Sequence, residues 1–310
     1  MAVIKFPNGV QVTTFAAPAG GSGRASRLDE ILLSGARPDA VKSPALLRHL
    51  REDGREHAIY VEPIFGRFDG RQTRRGGFRR QADATTTSDK WAGGVAFAPS
   101  GFAFDFVRAI WTVPPVTPLT SDGQVYFCST CVGIDGDGSS TDLLQIGVFG
   151  EVTNSSGSIA SQYLAWWQWY PGALVPLDNV PVKPGDVVDC YVSVGTPGGQ
   201  VDYIVYILNK TTRVGTFFEV KPPSGTQLVG NCAEWIVERP TVSGQVSNLG
   251  NYGQVEFQNA TAQVYDGVSV YKPVDANAGD ILNMVDSSGK TITSASFTGA
   301  DSVQCKYTGP

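Results

Sequence analysis

The feature that most limits the fold is a regular alternation, from Trp91 to the C-terminus, between short β-type runs and turn residues. Pro, Gly, Asn and Asp interrupt the runs about every dozen residues, which is the spacing of an all-β sandwich. No stretch shows a long helical period, and none approaches the ~18 apolar residues of a membrane-crossing helix. We predict ten strands, at residues 91–97, 104–113, 125–134, 143–149, 161–170, 187–194, 201–209, 214–220, 233–238 and 254–264.

Residues 1–85 differ from this pattern and are predicted to be a small mixed N-terminal extension. Residues 43–54 carry Ser-Pro at the start and Gly at the end, which predicts a short capped helix, and a strand is predicted from His57. Residues 67–81 are basic and poor in aliphatic side chains, as in an exposed linker that proteases cleave. The second domain is therefore predicted to span residues 86–310.

Charge is distributed unevenly between the two parts. Residues 1–90 contain 15 Lys and Arg against 10 Asp and Glu, a net charge of +5. Residues 91–310 contain 9 against 19, a net charge of −10, and the two values give the total of −5. A basic leader can dock on an acidic body, although basic loops also serve solubility alone. The acidic body would repel phosphates, so we predict no nucleic-acid partner. Because no stretch is long and apolar enough to span a membrane, we also predict no membrane partner.

The cysteines do not predict a metal site. Cys128 and Cys131 form a single CxxC with no second pair and no nearby His, so a zinc site lacks half of its ligands. Residues 133–138, GIDGDG, lack the terminal Glu of a calcium loop and are predicted to be a turn. We predict no cofactor. The five cysteines are predicted to be buried thiols, with one or two disulfides as the alternative: Cys128, Cys131, Cys190, Cys232 and Cys305.

The segment NCAEWIVERP, residues 231–240, places carboxylates in a predicted strand. Trp235 and Val237 alternate with Glu234, Ile236 and Glu238, so one strand face is apolar and the other carries two acids. Such a face is either solvated surface or the floor of a polar cleft. Residues 91–310 contain no His, so hydrolytic chemistry there depends on Glu, Asp, Gln or Tyr.

Three ordered segments carry a family resemblance: GIDGDGSSTDLLQIG (residues 133–147), AWWQWYP (165–171) and NCAEWIVERP. Together with DKWAGGVAF (89–97), they resemble the glutamic peptidases, or eqolisins. The resemblance covers about residues 88–310. It implies a concanavalin-A-like sandwich of two bent antiparallel sheets, polypeptide substrates, a monomer, and secretion, although residues 1–23 lack the continuous apolar core of a secretory signal.

The resemblance also implies site residues. The family's catalytic Gln and Glu correspond to Gln145 and Glu234. Strand parity agrees, since Leu144, Ile146 and Val148 would face away from Gln145. Substrate binding is assigned to Trp166, Gln168 and Tyr170, which share one strand face, and to Asp135 and Glu238.

These residues imply a peptide hydrolysis that needs no metal and no covalent intermediate. Ionised Glu234 would take a proton from the attacking water and pass it to the leaving amine, while the Gln145 amide stabilises the oxyanion. Because a Glu titrates near pH 4.3, activity is predicted below about pH 5. The resemblance further implies that residues 1–85 are a propeptide, removed by cleavage between Arg67 and Asp89; a permanent extension is the alternative.

Three residues depart from the family pattern, and the two that replace acids support a competing hypothesis. Cys131 replaces a usual Trp, and Leu164 and Gln168 replace usual acids. The alternative is thus a weakly active or inactive sandwich that binds peptide or carbohydrate. A glycosidase pair of Glu234 and Glu238 is disfavoured, because four residues of strand span about 13 Å, beyond the ~6.5–9.5 Å of inverting enzymes.

Overall fold

The computed structural model of this chain describes residues 2–5, 11–14, 59–60, 65, 85–137, 140, 142–195, 203–242 and 244–309. Within these ranges the regular structure is almost entirely β, and the one helical element there is a 3₁₀ turn at Ala276–Ala278. No helix in the described part of the chain is long and apolar enough to cross a membrane. The helix predicted at residues 43–54 lies outside the described residues.

The described residues form twenty-two strands, β1 to β22, numbered in chain order. Those up to the middle of the chain are β1 (Ala2–Lys5), β2 (Gln11–Thr14), β3 (Ile59–Tyr60), β4 (Thr85–Ser88), β5 (Trp91–Phe97), β6 (Ala103–Thr112), β7 (Asp122–Asp135), β8 (Leu143–Ser155), β9 (Ser158–Tyr170) and β10 (Val175–Pro176). The others are β11 (Val187–Val194), β12 (Tyr203–Asn209), β13 (Val214–Val220), β14 (Cys232–Glu238), β15 (Thr241–Val242), β16 (Gln245–Val246), β17 (Asn248–Leu249), β18 (Gln254–Tyr265), β19 (Tyr271–Asp275), β20 (Asp280–Val285), β21 (Thr291–Gly299) and β22 (Ser302–Tyr307).

The strands form two large, mainly antiparallel sheets. In the first sheet the neighbours run β10, β9, β8, β7, β14, β5 and β20, followed by the β21–β22 hairpin. In the second sheet they run β13, β12, β11, β6, β18 and β19. Strand β18 belongs to both, because its first residues pair with β22 and its later residues pair with β6. The predicted all-β sandwich is confirmed.

Alternating side chains build the core between the sheets. Strand β8 sends Leu144, Ile146 and Val148 into this core, and β14 sends Trp235 and Val237 into it. The opposite face of the first sheet carries a second apolar cluster that includes Cys131, Trp166 and Ile236. We call this second face the site face. The predicted parity of β8 and β14 is confirmed, since a strand turns successive side chains to opposite sides.

All ten predicted strands are present, and three have the predicted bounds, at Trp91–Phe97, Val187–Val194 and Val214–Val220. The sequence-based prediction missed the four strands β19 to β22 near the C-terminus. Strand β21 is rich in Ser and Thr, so its apolar alternation is weak, and β19 contains Pro273. Strands β20 and β22 pair with β5 and β18 and complete the first sheet, while β19 extends the second.

The five cysteines are all buried and free, which confirms the predicted thiols and leaves no disulfide in the chain. Cys131 contributes to the site face, whereas Cys128, Cys190 and Cys305 pack in the core between the sheets. Burial raises the pKa of the Cys190 thiol well above its usual value, so this side chain behaves as a small apolar group. The fold is therefore held by packing and sheet pairing rather than by crosslinks.

Candidate active site

Three adjacent strands of the first sheet bring Gln145, Gly133 and Glu234 into one row. Gly133 on β7 lies directly opposite Gln145 on β8 and, across its other edge, opposite Glu234 on β14. Strand β9 extends the row, because Gln168 lies opposite Gln145. Residues directly opposite each other on paired strands project to the same side. The row therefore presents two amides and one carboxylate on the site face.

The absence of a side chain at Gly133 leaves a narrow notch between the two end groups. The Cα atoms of Gln145 and Glu234 are two strand spacings apart, about 9–10 Å. A Cβ built on Gly133 would lie 2.9 Å from Glu234 Oε1 and 3.2 Å from the Cβ of Gln145. Both side chains thus border the space above the glycine. The absence of a side chain at Gly133 is what lets Glu234 and Gln145 approach each other across the row.

A directed chain of hydrogen bonds fixes the Gln145 amide. Its Nε2 donates to Gln168 Oε1 at 2.7 Å, and Gln168 Nε2 donates to the backbone carbonyl of Gly172, also at 2.7 Å. Because the Gly172 carbonyl can only accept, it sets the orientation of Gln168, which in turn sets that of Gln145. One of the two Nε2 protons of Gln145 is used in this chain, and the amide is held in a single orientation.

Cys131 binds the other end of the same amide. Its Sγ lies 3.4 Å from Gln145 Oε1, in position to donate its S–H proton. Burial, and next the charges of Glu238 and Glu234, raise the pKa of the Cys131 thiol, so it keeps the proton that it donates. The sequence singled out Cys131 as half of a CxxC and as a departure from a family pattern; its contact with Gln145 requires the β7–β8 register and had no local signal.

The row is buried in the full chain. Glu234 is 0% exposed, Gln168 1% and Gln145 2%. Removal from water strengthens the interaction of a carboxylate or an oriented amide with any charge that develops beside it. Burial on this face therefore suits electrostatic catalysis more than it suits a solvated surface strand.

The structure places the other predicted substrate-binding residues at varied depths on this face. Trp166 is completely buried in the site-face cluster, and Tyr170 is partly exposed beside it. Glu238 lies four residues along β14 from Glu234, on the same face, and is 9% exposed. Tyr170 and Glu238 thus border the row, whereas Trp166 forms part of its apolar support.

Asp135 has a different environment from the one expected of a substrate-binding group. It is completely buried, and its carboxylate accepts hydrogen bonds from the backbone N–H groups of Val229, Gly230 and Asn231, at 2.6, 3.1 and 2.8 Å. These residues lead directly into β14. The contacts favour a role for Asp135 in fixing the start of the strand that carries Glu234, and direct substrate binding by Asp135 stays a prediction.

No group of three or more His, Cys, Asp or Glu side chains in the described ranges could hold a metal ion. What the arrangement offers instead is one carboxylate, one oriented amide and a notch between them. A carboxylate transfers protons, and a fixed N–H donor stabilises negative charge on oxygen. The row can thus activate a nucleophile and support an oxyanion at neighbouring positions.

Filling the notch tests whether the space above Gly133 is used. In Gly133→Ala the new methyl group would approach Glu234 Oε1 and come 2.7 Å from Leu143 Cδ1, so the end groups must shift. Displacements of about 1 Å can cost 10²-fold in rate, and we expect a loss of that order in kcat/KM. The measurement is steady-state proteolysis of a denatured protein substrate in acid.

Gly150→Ala is the matched control for crowding in Gly133→Ala. Its added Cβ would come 2.8 Å from Tyr163, on a different part of β8, and should destabilise the fold without affecting the row. Equal losses of kcat/KM in the two variants, after correction for the folded fraction, would show that the notch has no particular role.

Comparison with protein families and solved structures adds an independent line of evidence. Residues 89–307 match the model of the peptidase A4 family. Aspergillopepsin-2 of Aspergillus niger is 28% identical over 239 residues, which cover 71% of this chain and 78% of the relative. Scytalidopepsin B of Scytalidium lignicola is 30% identical over 176 residues, which cover 54% of this chain and 60% of the relative.

Solved structures support the fold. A crystal structure of scytalido-glutamic peptidase with a transition state analog inhibitor superposes with a TM-score of 0.57 at 23% identity, covering 71% of this chain and 98% of the other. A structure of SCP-B, of the eqolisin family of peptidases, in complex with the tripeptide Ala-Ile-His gives 0.54 at 22% identity, with the same coverage. At this identity the likeness concerns the architecture of the two sheets.

Proposed function

The chain belongs to the peptidase A4 family and is a glutamic endopeptidase, and from this premise we propose that Glu234 and Gln145 are its catalytic pair. The observation that carries the proposal is the row in which both residues lie opposite Gly133 on neighbouring strands. This row joins one proton-transfer group and one oriented donor across a notch. The substrates of such an enzyme are polypeptides.

In the proposed mechanism Glu234 is the general base and then the general acid. Its carboxylate takes a proton from a water molecule in the notch while the water oxygen attacks the scissile carbonyl carbon. The carbonyl oxygen becomes an oxyanion and accepts a hydrogen bond from Gln145 Nε2. Glu234 then gives its proton to the leaving amine nitrogen as the C–N bond breaks, which returns the carboxylate to its starting state.

Gln168 and Cys131 are proposed to position Gln145 rather than to touch the substrate. Their hydrogen bonds fix the two ends of the amide, so that its remaining N–H proton is directed without cost at the moment of reaction. Both groups are neutral, because the Cys131 thiol stays protonated. Position 168 therefore adds no charge beside Glu234, and activity is proposed at acid pH, below about 5.

The fold contains a carboxyl group that favours the same acid range. Burial raises the pKa of Asp105 from 3.8 to about 7, although Gln263 Nε2 donates to both of its oxygens at 3.2 Å. The pKa of Asp105 is higher in the folded state than in the unfolded state. Its contribution to the free energy of unfolding is therefore complete below about pH 4 and is lost as pH rises to about 7.

We expect Asp105→Asn to reduce this pH dependence. Asn stays uncharged, so between pH 4 and pH 7 the variant should lose less free energy of unfolding than the parent, by up to about 4 kcal/mol. Urea unfolding at both pH values, in a Glu234→Gln background to prevent self-digestion, measures the difference. Parallel pH profiles for parent and variant would contradict the assignment.

The N-terminal region is proposed to be a propeptide, and the enzyme to be secreted as a precursor. The supporting observation is the charge of +5 in residues 1–90 beside −10 in the rest of the chain. Acid protonates carboxylates of the body, weakens this attraction and exposes the proposed cleavage stretch between Arg67 and Asp89. The boundary near residue 85, the monomeric state and the absence of nucleic-acid and membrane partners stay predictions.

A pH-shift time course tests the proposed function. The purified chain is moved from pH 7 to about pH 3.5 with a denatured protein substrate and followed on a gel. We expect digestion of the substrate and loss of about 85 N-terminal residues in the parent, and neither in Glu234→Gln. If the parent stays intact and inert throughout the acid range, the binding-protein alternative replaces the catalytic proposal, and the row should be tested for peptide binding.

A further inference from the structure

Residues of the N-terminal extension touch the sandwich at a definite place. Strand β3 pairs in parallel with β13, with Ile59 opposite Val214 and Tyr60 opposite Gly215. On its other edge β13 pairs with β12 along its whole length. Within the described ranges, β3 is the one strand on this outer edge of the second sheet. A two-residue strand added to a sheet edge is a β-augmentation contact, supported mainly by the backbone.

A single aromatic side chain makes the second contact. The Phe65 ring lies 5.2 Å from the ring of Phe218 and 6.3 Å from that of Trp167, at interplanar angles of 73° and 61°. Both are edge-to-face arrangements, which aromatic pairs favour. Phe65 also forms an isolated antiparallel bridge with Leu177, next to β10. The ring is still 43% exposed, so it rests in a surface slot rather than in the core.

The slot belongs to the sandwich itself. Trp167 and Phe218 contact each other at 5.6 Å, and their strands β9 and β13 come from different sheets. Trp167 is held by the pairing of β9 with β8, and Phe218 is a buried core residue. The receiving surface is therefore built from the sandwich's own strands, and in most complexes such a surface moves little on binding.

This surface faces away from the row of Gln145, Gly133 and Glu234. Trp167 precedes Gln168 in β9, so the two side chains project to opposite faces of the first sheet. Trp167 packs against the core between the sheets, whereas Gln168 bonds Gln145 on the site face. A side chain bound in the slot therefore contacts the core-facing side of β9, the strand whose other side carries Gln168.

We propose that the edge of β13 and the slot between Trp167 and Phe218 form a docking site for the chain's own N-terminal extension, separate from the catalytic row. Ile59, Tyr60 and Phe65 are the occupying residues. All three precede the proposed cleavage stretch, so processing removes them and leaves the β13 edge and the slot open; this consequence rests on the proposed function. The docking itself does not require peptidase activity.

Disulfide trapping tests the docking register. In a Glu234→Gln background at neutral pH, Ile59→Cys is combined with Val214→Cys, its partner across the pair. Paired strands place such Cα atoms about 4.8 Å apart, within the range that a disulfide bridges. Ile59→Cys with Val220→Cys is the control, because Val220 lies six residues, about 20 Å, further along the same strand. The five native thiols are buried and do not compete.

We expect the 59–214 disulfide to form under mild oxidation and the 59–220 disulfide not to form, as read from linked peptides by mass spectrometry. Equal trapping of both pairs, or of neither, overturns the proposed site. Self-cleavage plays no part in the measurement. A failure here would therefore leave the catalytic proposal standing, and inactivity in the pH-shift experiment would leave the docking site standing.

Phe65→Ala tests the aromatic part of the site. Half of a Phe ring is removed from water by the slot, so its loss should weaken docking by about tenfold. Hydrogen exchange in the peptide that covers residues 57–66 should accelerate by the same factor, while exchange in β8 and β14 stays unchanged. Phe65→Leu retains part of the contact, so its exchange rate should fall between those of the parent and Phe65→Ala. Unchanged exchange in Phe65→Ala would show that the ring does not anchor the extension.

Discussion

Replacing Glu234 by Gln should lower kcat/KM for a denatured protein substrate at about pH 3.5 by roughly 10²–10⁴-fold. That range is the usual contribution of a general acid–base group, and Gln can neither take nor give the proton. Glu and Gln have nearly the same shape, and the residue is fully buried, so the packing of β14 is preserved. Steady-state kinetics of purified, folded protein from pH 2.5 to pH 6 provide the measurement.

Two comparison variants make the Glu234→Gln result specific. Glu256→Gln changes a partly exposed Glu of β18, whose carboxylate contacts Gln258 and Thr298, and its activity should match that of the parent. Glu238→Gln changes the second acid on the same face of β14 and should cause a smaller loss, concentrated in KM. If Glu238→Gln abolishes activity and Glu234→Gln retains it, the carboxylate assignment is wrong.

Replacing Gln145 by Met should lower kcat by about 10²–10³-fold, the cost of removing one oxyanion donor. Met has a similar length but no N–H group, so the developing negative charge loses its partner while the strand stays filled. KM should change little, because the lost hydrogen bond belongs to the transition state rather than to the bound substrate. The separate effects on kcat and KM are read from saturation curves at one acid pH.

Gln258→Met is the matched control for Gln145→Met. Gln258 is an exposed Gln on β18, far from the row in the sheet order, and its amide contacts only Glu256 among the described hydrogen bonds. Its substitution should leave both kinetic parameters unchanged. A Gln145→Met enzyme with parental kcat and a raised KM would assign Gln145 to substrate binding and remove the oxyanion role from the mechanism.

Gly133 shows why part of the site could not be predicted from the sequence. A glycine inside a strand signals a close approach or a bulge, but it does not identify the partner. The partners of Gly133 are Gln145 on one side and Glu234 on the other, and the second lies far along the chain. Only the pairing of β7 with both β8 and β14 reveals that the missing side chain forms the notch.

Asp135 shows the same limit in another form. In the sequence it lies beside other polar residues of a turn, which agrees with substrate binding. In the fold its carboxylate is buried under the segment before β14 and accepts three backbone hydrogen bonds. Those donors come from residues 229–231, and the sequence around Asp135 contains no signal that predicts these contacts.

The face that each site residue occupies follows from the local alternation of its strand. Alternation along a strand is a property of the local backbone, so Leu144, Ile146 and Val148 place Gln145 on the other face, and Trp235 and Val237 do the same for Glu234. That these two faces form one surface, and that Gly133 separates the pair, is visible only in the folded chain. Strand order and register depend on contacts between distant segments, whose energies no local pattern contains.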